Sequence, residues 1–186
     1  MKYEDNQYYH IYNRGAGKNL IFFSERNYRF CLDLFSKYQN RYCISFVAYC
    51  LMPNHYHIVL LQNEGGSITR FLQTVFNGYT QSINNELNWS GTLFESRAKG
   101  ILIDYDRYLF QVICYVHLNP VFAAMVTKPE DWEFSDYRDW ISLREPRLTN
   151  LEFRNDNLRN GEDYRRSVEE FRNEKMKEDV FKYLMV

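Results

Sequence analysis

Residues 42–61, "YCISFVAYCLMPNHYHIVLL", restrict the possible folds more than any other stretch. Two runs rich in aromatic and β-branched residues flank Pro53-Asn54, which reads as a bend between two antiparallel strands, 42–52 and 55–61. Both runs are apolar at nearly every position instead of alternating. Such strands belong inside a sheet, covered well enough that neither parity of side chain meets water. His55 and His57 interrupt the second run, and they share one parity with Val59 and Leu61.

The flanking segments supply the rest of a sheet-and-helix pattern. "QYYHIYNRG" (7–15) reads as a strand entering a glycine-containing loop. That loop, "RGAGKN", lacks the spacing and the hydroxyl of a phosphate-binding loop, so it reads as a turn and no nucleotide cofactor is expected. Residues 24–41 form a helix capped by Ser24, with Tyr28, Cys31, Leu32, Phe35 and Tyr38 on one face. Residues 67–87 form a second, capped by Ser67 and striped by Ile68, Phe71, Leu72, Val75, Tyr79 and Ile83. A strand at 98–103 and a helix at 104–118 with Asp104 as its N-cap follow. The order β-α-β-β-α-β-α predicts an α+β fold, a split βαβ (ferredoxin/RRM-like) antiparallel sheet with helices on one face. Segment 130–146 is aromatic and irregular, and the charged residues from about 150 on carry helical spacing. The expected organisation is one main domain over 1–146 and a C-terminal helical extension over 147–186, packed on or near it.

Charge excludes a broadly cationic binder. Lys and Arg number 23 against 24 Asp and Glu, a net charge of −1, so any phosphate-binding surface is local. Cys31, Cys43, Cys50 and Cys114 form no CxxC pair and stand in apolar contexts, which fits buried free thiols. The N-terminus carries no secretion signal, and no apolar run approaches the ~20 residues of a membrane span. A cytoplasmic protein without a membrane partner is expected.

Spacing alone leaves the chemistry open. Same-face neighbours on a strand lie ~6.5 Å apart, so His55 and His57 can reach one cation, yet a His-x-His pair of this kind is more often ordinary core. In "CYVHLNP", Tyr115 and Asn119 are four apart and share a helix face, whereas His117 points elsewhere. A tyrosine facing a metal-bearing strand suits nucleophilic attack on a phosphodiester, with Asn119 as the missing amide ligand. Against this, Asn119-Pro120 also reads as an N-cap and first-turn proline, and Tyr115 as a continuation of an apolar stripe.

Taken together, "YYHIYNRG", "AYCLMPNHYHIVL", "GTLFESRAKGILI", "YLFQVICYVHLNPV" and "FSDYR" resemble the Y1 transposases of the His-hydrophobic-His nuclease superfamily. Within these IS200-like proteins the sequence is similar to the branch associated with repetitive extragenic palindromes. The matching stretches keep the family's order across roughly residues 3–140. The resemblance implies that His55, His57 and Asn119 hold Mg²⁺ or Mn²⁺ and that Tyr115 attacks single-stranded or hairpin DNA. The implied product is a 5′-phosphotyrosine link with a free 3′-hydroxyl, which a second hydroxyl can reseal. Arg14, Arg97 and Lys99 lie in family-like stretches and are the expected phosphate contacts. A monomer is favoured, a dimer being the arrangement of the insertion-sequence relatives. Phe122 departs from the family pattern, where a basic residue is expected. Two other readings compete: a non-catalytic RRM-like module whose sheet aromatics stack on bases, and a replication- or relaxase-type nickase.

Overall fold

The computed structural model describes residues 2–103 and 106–175. Its sheet has four strands: β1 (Gln7–Arg14), β2 (Ile44–Met52), β3 (His55–Gln62) and β4 (Lys99–Ile103). Their spatial order is β2-β3-β1-β4, and every neighbouring pair is antiparallel. The expected hairpin is the β2–β3 pair, with Met52 opposite His55. Helices α1 (Glu25–Gln39) and α2 (Ile68–Glu86) follow β1 and β3, and α3 (Asp106–Phe122) follows β4. Ser24 and Ser67 take their expected capping positions. The expected N-cap Asp104 lies outside the described residues.

The α+β class and the split βαβ order are as expected, but the placement of the helices needs correction. Tyr9 and Ile11 of β1 and Tyr56, Ile58 and Leu60 of β3 pack with Phe35 of α1 and Phe71, Val75 and Tyr79 of α2. Val59 of β3 and Ala48, Cys50 and Met52 of β2 turn the other way and meet Val112, Ile113 and Val116 of α3. Helices therefore cover both faces. The physical reason is the non-alternating run itself, since an inner strand apolar at both parities needs both faces dried.

β2 carries a bulge, with the register shifting between Phe46 and Ala48. Phe46 and Val47 fall in opposite cores, and Val47 and Ala48 in the same one. β2 is also a sheet edge, and the irregular segment after α3 closes it. Leu51 N donates to Phe134 O (2.9 Å), Asp136 N to Tyr49 O (3.2 Å), and Asn150 N to Phe46 O (2.7 Å). The indoles of Trp132 and Trp140 donate to the carbonyls of Leu51 and Val47. The aromatic character of this segment is thereby explained, because it seals an edge that would otherwise pair with another chain. α4 (Tyr137–Trp140), α5 (Glu152–Asn157) and α6 (Gly161–Lys175) complete the described chain, and Tyr164, Val168 and Phe171 of α6 join the α3-side core.

Cys31, Cys50 and Cys114 are buried as expected, while Cys43 is exposed. It sits at φ 50° in the turn from α1 into β2, where its side chain leaves the core. No helix among the described residues is long and apolar enough to cross a membrane.

Phe46 is fully buried and touches Phe35, Tyr49 and Phe71. Phe46→Ala is expected to lower the unfolding free energy by about 3–5 kcal/mol. A urea midpoint within error of the parent would show that the α1–α2 core does not depend on this ring.

Candidate active site

Strand parity brings His55 and His57 onto the α3 face of the sheet, their ring centroids 5.2 Å apart. Each has one ring nitrogen held from within the chain. His57 Nδ1 lies 2.9 Å from His10 Nε2, and the two rings stack at 5.1 Å. His55 Nδ1 lies 2.7 Å from Asn54 Oδ1, an acceptor, so Nδ1 carries the proton. These contacts engage Nδ1 of both histidines and do not involve Nε2.

α3 lies across this face. The Tyr115 ring is 5.5 Å from the His57 ring and 6.4 Å from His10. One turn later Asn119 is nearly buried, and its Nδ2 donates to Tyr115 O at 3.0 Å. The helix runs through Pro120 to Phe122, so Asn119 is an interior helical residue and not the N-cap of a new turn. The same side chain also interacts with the His55 imidazole and the Tyr115 phenol. The expected set His55, His57, Tyr115 and Asn119 is thus assembled in one place.

Burial controls the charge states. It holds His10 down to about 3 and, with His10 and His55 nearby, holds His57 well below the usual imidazole range. His55 is lowered too, again by burial, with the Asn119 amide opposing. All three imidazoles are neutral at pH 7 and keep the lone pairs that a metal needs. Burial pushes the Tyr115 phenol up to about 12, again against the pull of Asn119. At rest Tyr115 is therefore a neutral phenol.

The donor set suits a divalent ion. Two neutral imidazoles oriented by hydrogen bonds at their far nitrogens, plus one amide oxygen, leave positions open for substrate. No group of three or more His, Cys, Asp or Glu side chains converges among the described residues, and Asn119 brings an amide to the two histidines on this face.

His10 was missed from sequence. Its place in "YYHIYNRG" puts it on the parity of Tyr8 and Tyr12, but only the β1–β3 register sets it against His57. The register pairs Tyr12 with His57, and the side chain of His10 reaches diagonally. His117 lies elsewhere, buried between Asp136 and Tyr164. Among the expected phosphate contacts, Arg14 is engaged in a two-point ion pair with Glu95. Arg97 and Lys99 are exposed, and Lys99 Nζ sits 5.8 Å from the Tyr12 ring. Phe122 stands 6.3 Å from Tyr115, a ring where a cation was expected.

Comparison with known proteins identifies the family and the fold. Residues 4–99, about half of the chain, match the family described as "Transposase IS200 like". No curated protein matches. A solved structure of a REP-associated tyrosine transposase bound to a REP hairpin is similar with a TM-score of 0.67. It is 13% identical, and the match covers 82% of this chain and 93% of that one. A Deinococcus radiodurans protein described as a transposase is 15% identical with a TM-score of 0.44, covering 60% and 90%.

The buried histidines make stability depend on pH. An unfolded imidazole titrates near its usual 6.5, and the folded His10 only near about 3. Below about 6.5 the unfolded chain takes up a proton that the folded chain refuses, so stability is lost as the pH falls. The unfolding free energy is expected to drop by about 1 kcal/mol per pH unit for His10 between pH 6 and 4. Urea titrations of the parent and His10→Gln should show a shallower fall in the variant. Equal slopes would mean that His10 titrates freely.

Proposed function

Because the chain belongs to the IS200-like transposase family, we propose that it cleaves and rejoins single-stranded DNA with Tyr115 as nucleophile. The observation carrying this reading is the placement of Tyr115 over His57, with Asn119 one helical turn beyond. The neighbour of similar fold holds a REP hairpin, and a hairpin-forming palindromic DNA is the substrate we infer here.

In this mechanism Tyr115 Oη attacks the scissile phosphorus, and the 3′-oxygen of the upstream strand leaves. The tyrosine proton is lost as the O–P bond forms, and a proton is taken up by the departing 3′-oxygen. The 5′-phosphotyrosine keeps the phosphodiester's free energy, so a 3′-hydroxyl attacking the same phosphorus reseals a strand and returns Tyr115 without a nucleotide cofactor. Nε2 of His55 and His57 and the amide oxygen of Asn119 would hold Mg²⁺ or Mn²⁺, which supplies electrostatic stabilisation to the phosphate. His10 fixes the tautomer of His57 by accepting its Nδ1 proton, which keeps Nε2 unprotonated. Asn119 lowers the cost of the phenolate by interaction with Tyr115. Burial around Tyr115 excludes water, which would otherwise compete as nucleophile.

Arg97 and Lys99 are the cations offered to the DNA backbone. Arg14 acts indirectly, tying the loop before β4 through Glu95. The His pair and Tyr115 come from one chain, so we read the tyrosine as acting in cis within a monomer. Residues from 147 on are proposed as an extension of the catalytic domain 1–146 that backs α3. An RRM-like module is disfavoured because, of the rings that would stack on bases, Tyr42, Phe46 and Tyr49, the last two are buried in the core and Tyr42 is half-buried with its hydroxyl against Thr74.

With Mn²⁺ and a hairpin-bearing single-stranded oligonucleotide, a covalent adduct should survive denaturing electrophoresis. Tyr115→Phe should lower its yield by at least about 10³-fold. Cleavage that persists in that variant would remove Tyr115 as the nucleophile. His10→Ala should weaken Mn²⁺ binding about 10–100-fold by calorimetry, with the fold retained by circular dichroism. Unchanged affinity would leave His10 as packing alone.

A further inference from the structure

Behind the sheet, on the face opposite Tyr115, a cavity of about 500 Å³ opens between α2 and the loop before β4. Its size is that of a small-molecule site. Phe76 and Phe94 form an apolar wall, their rings 5.2 Å apart and edge-on. Gln73 and Asn77, one turn apart on α2, place two exposed amides at the rim. Arg97 is the cation in the lining, and no carboxylate lines the cavity. At its floor is Tyr56, fully buried, whose hydroxyl has no hydrogen-bond partner. The Asn13 amide beside it makes no well-formed bond to that hydroxyl, being shared with Ser96 O, to which it donates, and Arg14 N, from which it accepts. A buried phenol without a partner costs about 1–3 kcal/mol, which a ligand atom would recover.

We propose that this cavity binds one unpaired nucleobase of the single-stranded DNA substrate. The inference rests on the single-strand cleavage reading above and adds to it a second, base-reading site. The chemistry is that of a base: aromatic walls for its faces, carboxamides and a phenol for its edges, and a lone cation for the adjoining phosphate. The absence of carboxylates in the lining spares that phosphate any repulsion. Position supports the same occupant. Tyr56 separates His55 from His57 and faces the other way, and Asn13 pairs with it across the strands. Asn13 and Ser96 also line a small cleft with Tyr12, Lys99 and the Arg14–Glu95 ion pair, which offsets the one carboxylate there, and Tyr12 stands 6.0 Å from the His57 ring. A strand leaving the Tyr115 site past Lys99 and Arg97 would follow this cleft toward the cavity. The base selected there would set the distance from recognition to cleavage.

The test uses fluorescein-labelled 12-nucleotide thymidine oligomers carrying a central A, C, G or T, titrated by anisotropy in EDTA, where no cleavage occurs. The parent is expected to prefer one central base by about tenfold over the poorest, the discrimination of one well-formed base contact. Tyr56→Phe, which keeps the ring, and Gln73→Ala/Asn77→Ala, on exposed helix positions, should each reduce that preference to less than about threefold. A central 2-aminopurine should be quenched by the parent and not by the double variant. Equal affinity of the parent for all four oligomers, no binding of any, or full preference kept in both variants overturns the proposal. The Tyr115 adduct is assayed separately. If no hairpin yields an adduct but the preference exists and falls in the variants, the cleavage reading fails and the base site stands.

Discussion

The alternation of side chains along β3 is the constraint on which the rest of the molecule depends. Tyr56, Ile58 and Leu60 point into the core under α1 and α2, and His55, His57 and Val59 point toward α3. A one-residue slip would exchange the two sets and bury the histidines beneath α1 and α2. The register is held on both sides, by β1 and by β2. Because β3 is paired on both sides, the separation of the imidazoles is a property of the strand and not of a loop.

α3 must be held as firmly, since it carries Tyr115 and Asn119 to the histidines. Tyr115 and His117 are two residues apart, roughly 200° around the helix, so one can face the site while the other anchors the helix. His117 Nε2 lies 2.8 Å from Asp136 Oδ1, which also accepts from Tyr49 N at 2.6 Å, and Asp136 Oδ2 accepts from Thr149 Oγ1 at 2.6 Å. Tyr164 of α6 occupies the other imidazole nitrogen. One buried carboxylate thereby ties α3, the β2 edge and the segment around 149 together. Each donor satisfies an acceptor that would be costly to bury alone. "FSDYR" owes its place in the sequence pattern to this link, which is structural and not catalytic.

The same burial that dries the site sets its chemical cost. Neutral imidazoles are ready ligands, but a phenol raised to about 12 is a reluctant nucleophile. The arrangement concentrates its help at that point, with Asn119 acting on both Tyr115 and His55. The near-neutral net charge of −1 places the burden of holding DNA on local contacts. Phe122 beside Tyr115 strengthens that burden, since a stacking ring stands where the family pattern has a cation.

The element order, the helix caps and the buried faces of α1 and α2 were legible because they rest on local periodicity. Tyr28, Cys31, Leu32 and Phe35, and Ile68, Phe71, Leu72, Val75, Tyr79 and Ile83, are all buried where spacing placed them. That His55 and His57 share a face followed from strand geometry, and that Tyr115 and Asn119 share one followed from helix geometry. Whether those two faces met was beyond spacing, because Asn119-Pro120 reads equally well as the start of a new helix. Packing settled it, since α3 continues through Pro120 once its apolar side is seated on β2 and β3. His10, the engagement of Arg14 by Glu95 and the unpartnered hydroxyl of Tyr56 were likewise invisible, since each depends on a partner more than 40 residues away or on the lack of one. Local sequence determined which side chains point together along each element; the tertiary structure decided which elements face one another, because only close packing between distant segments converts shared parity into a shared site.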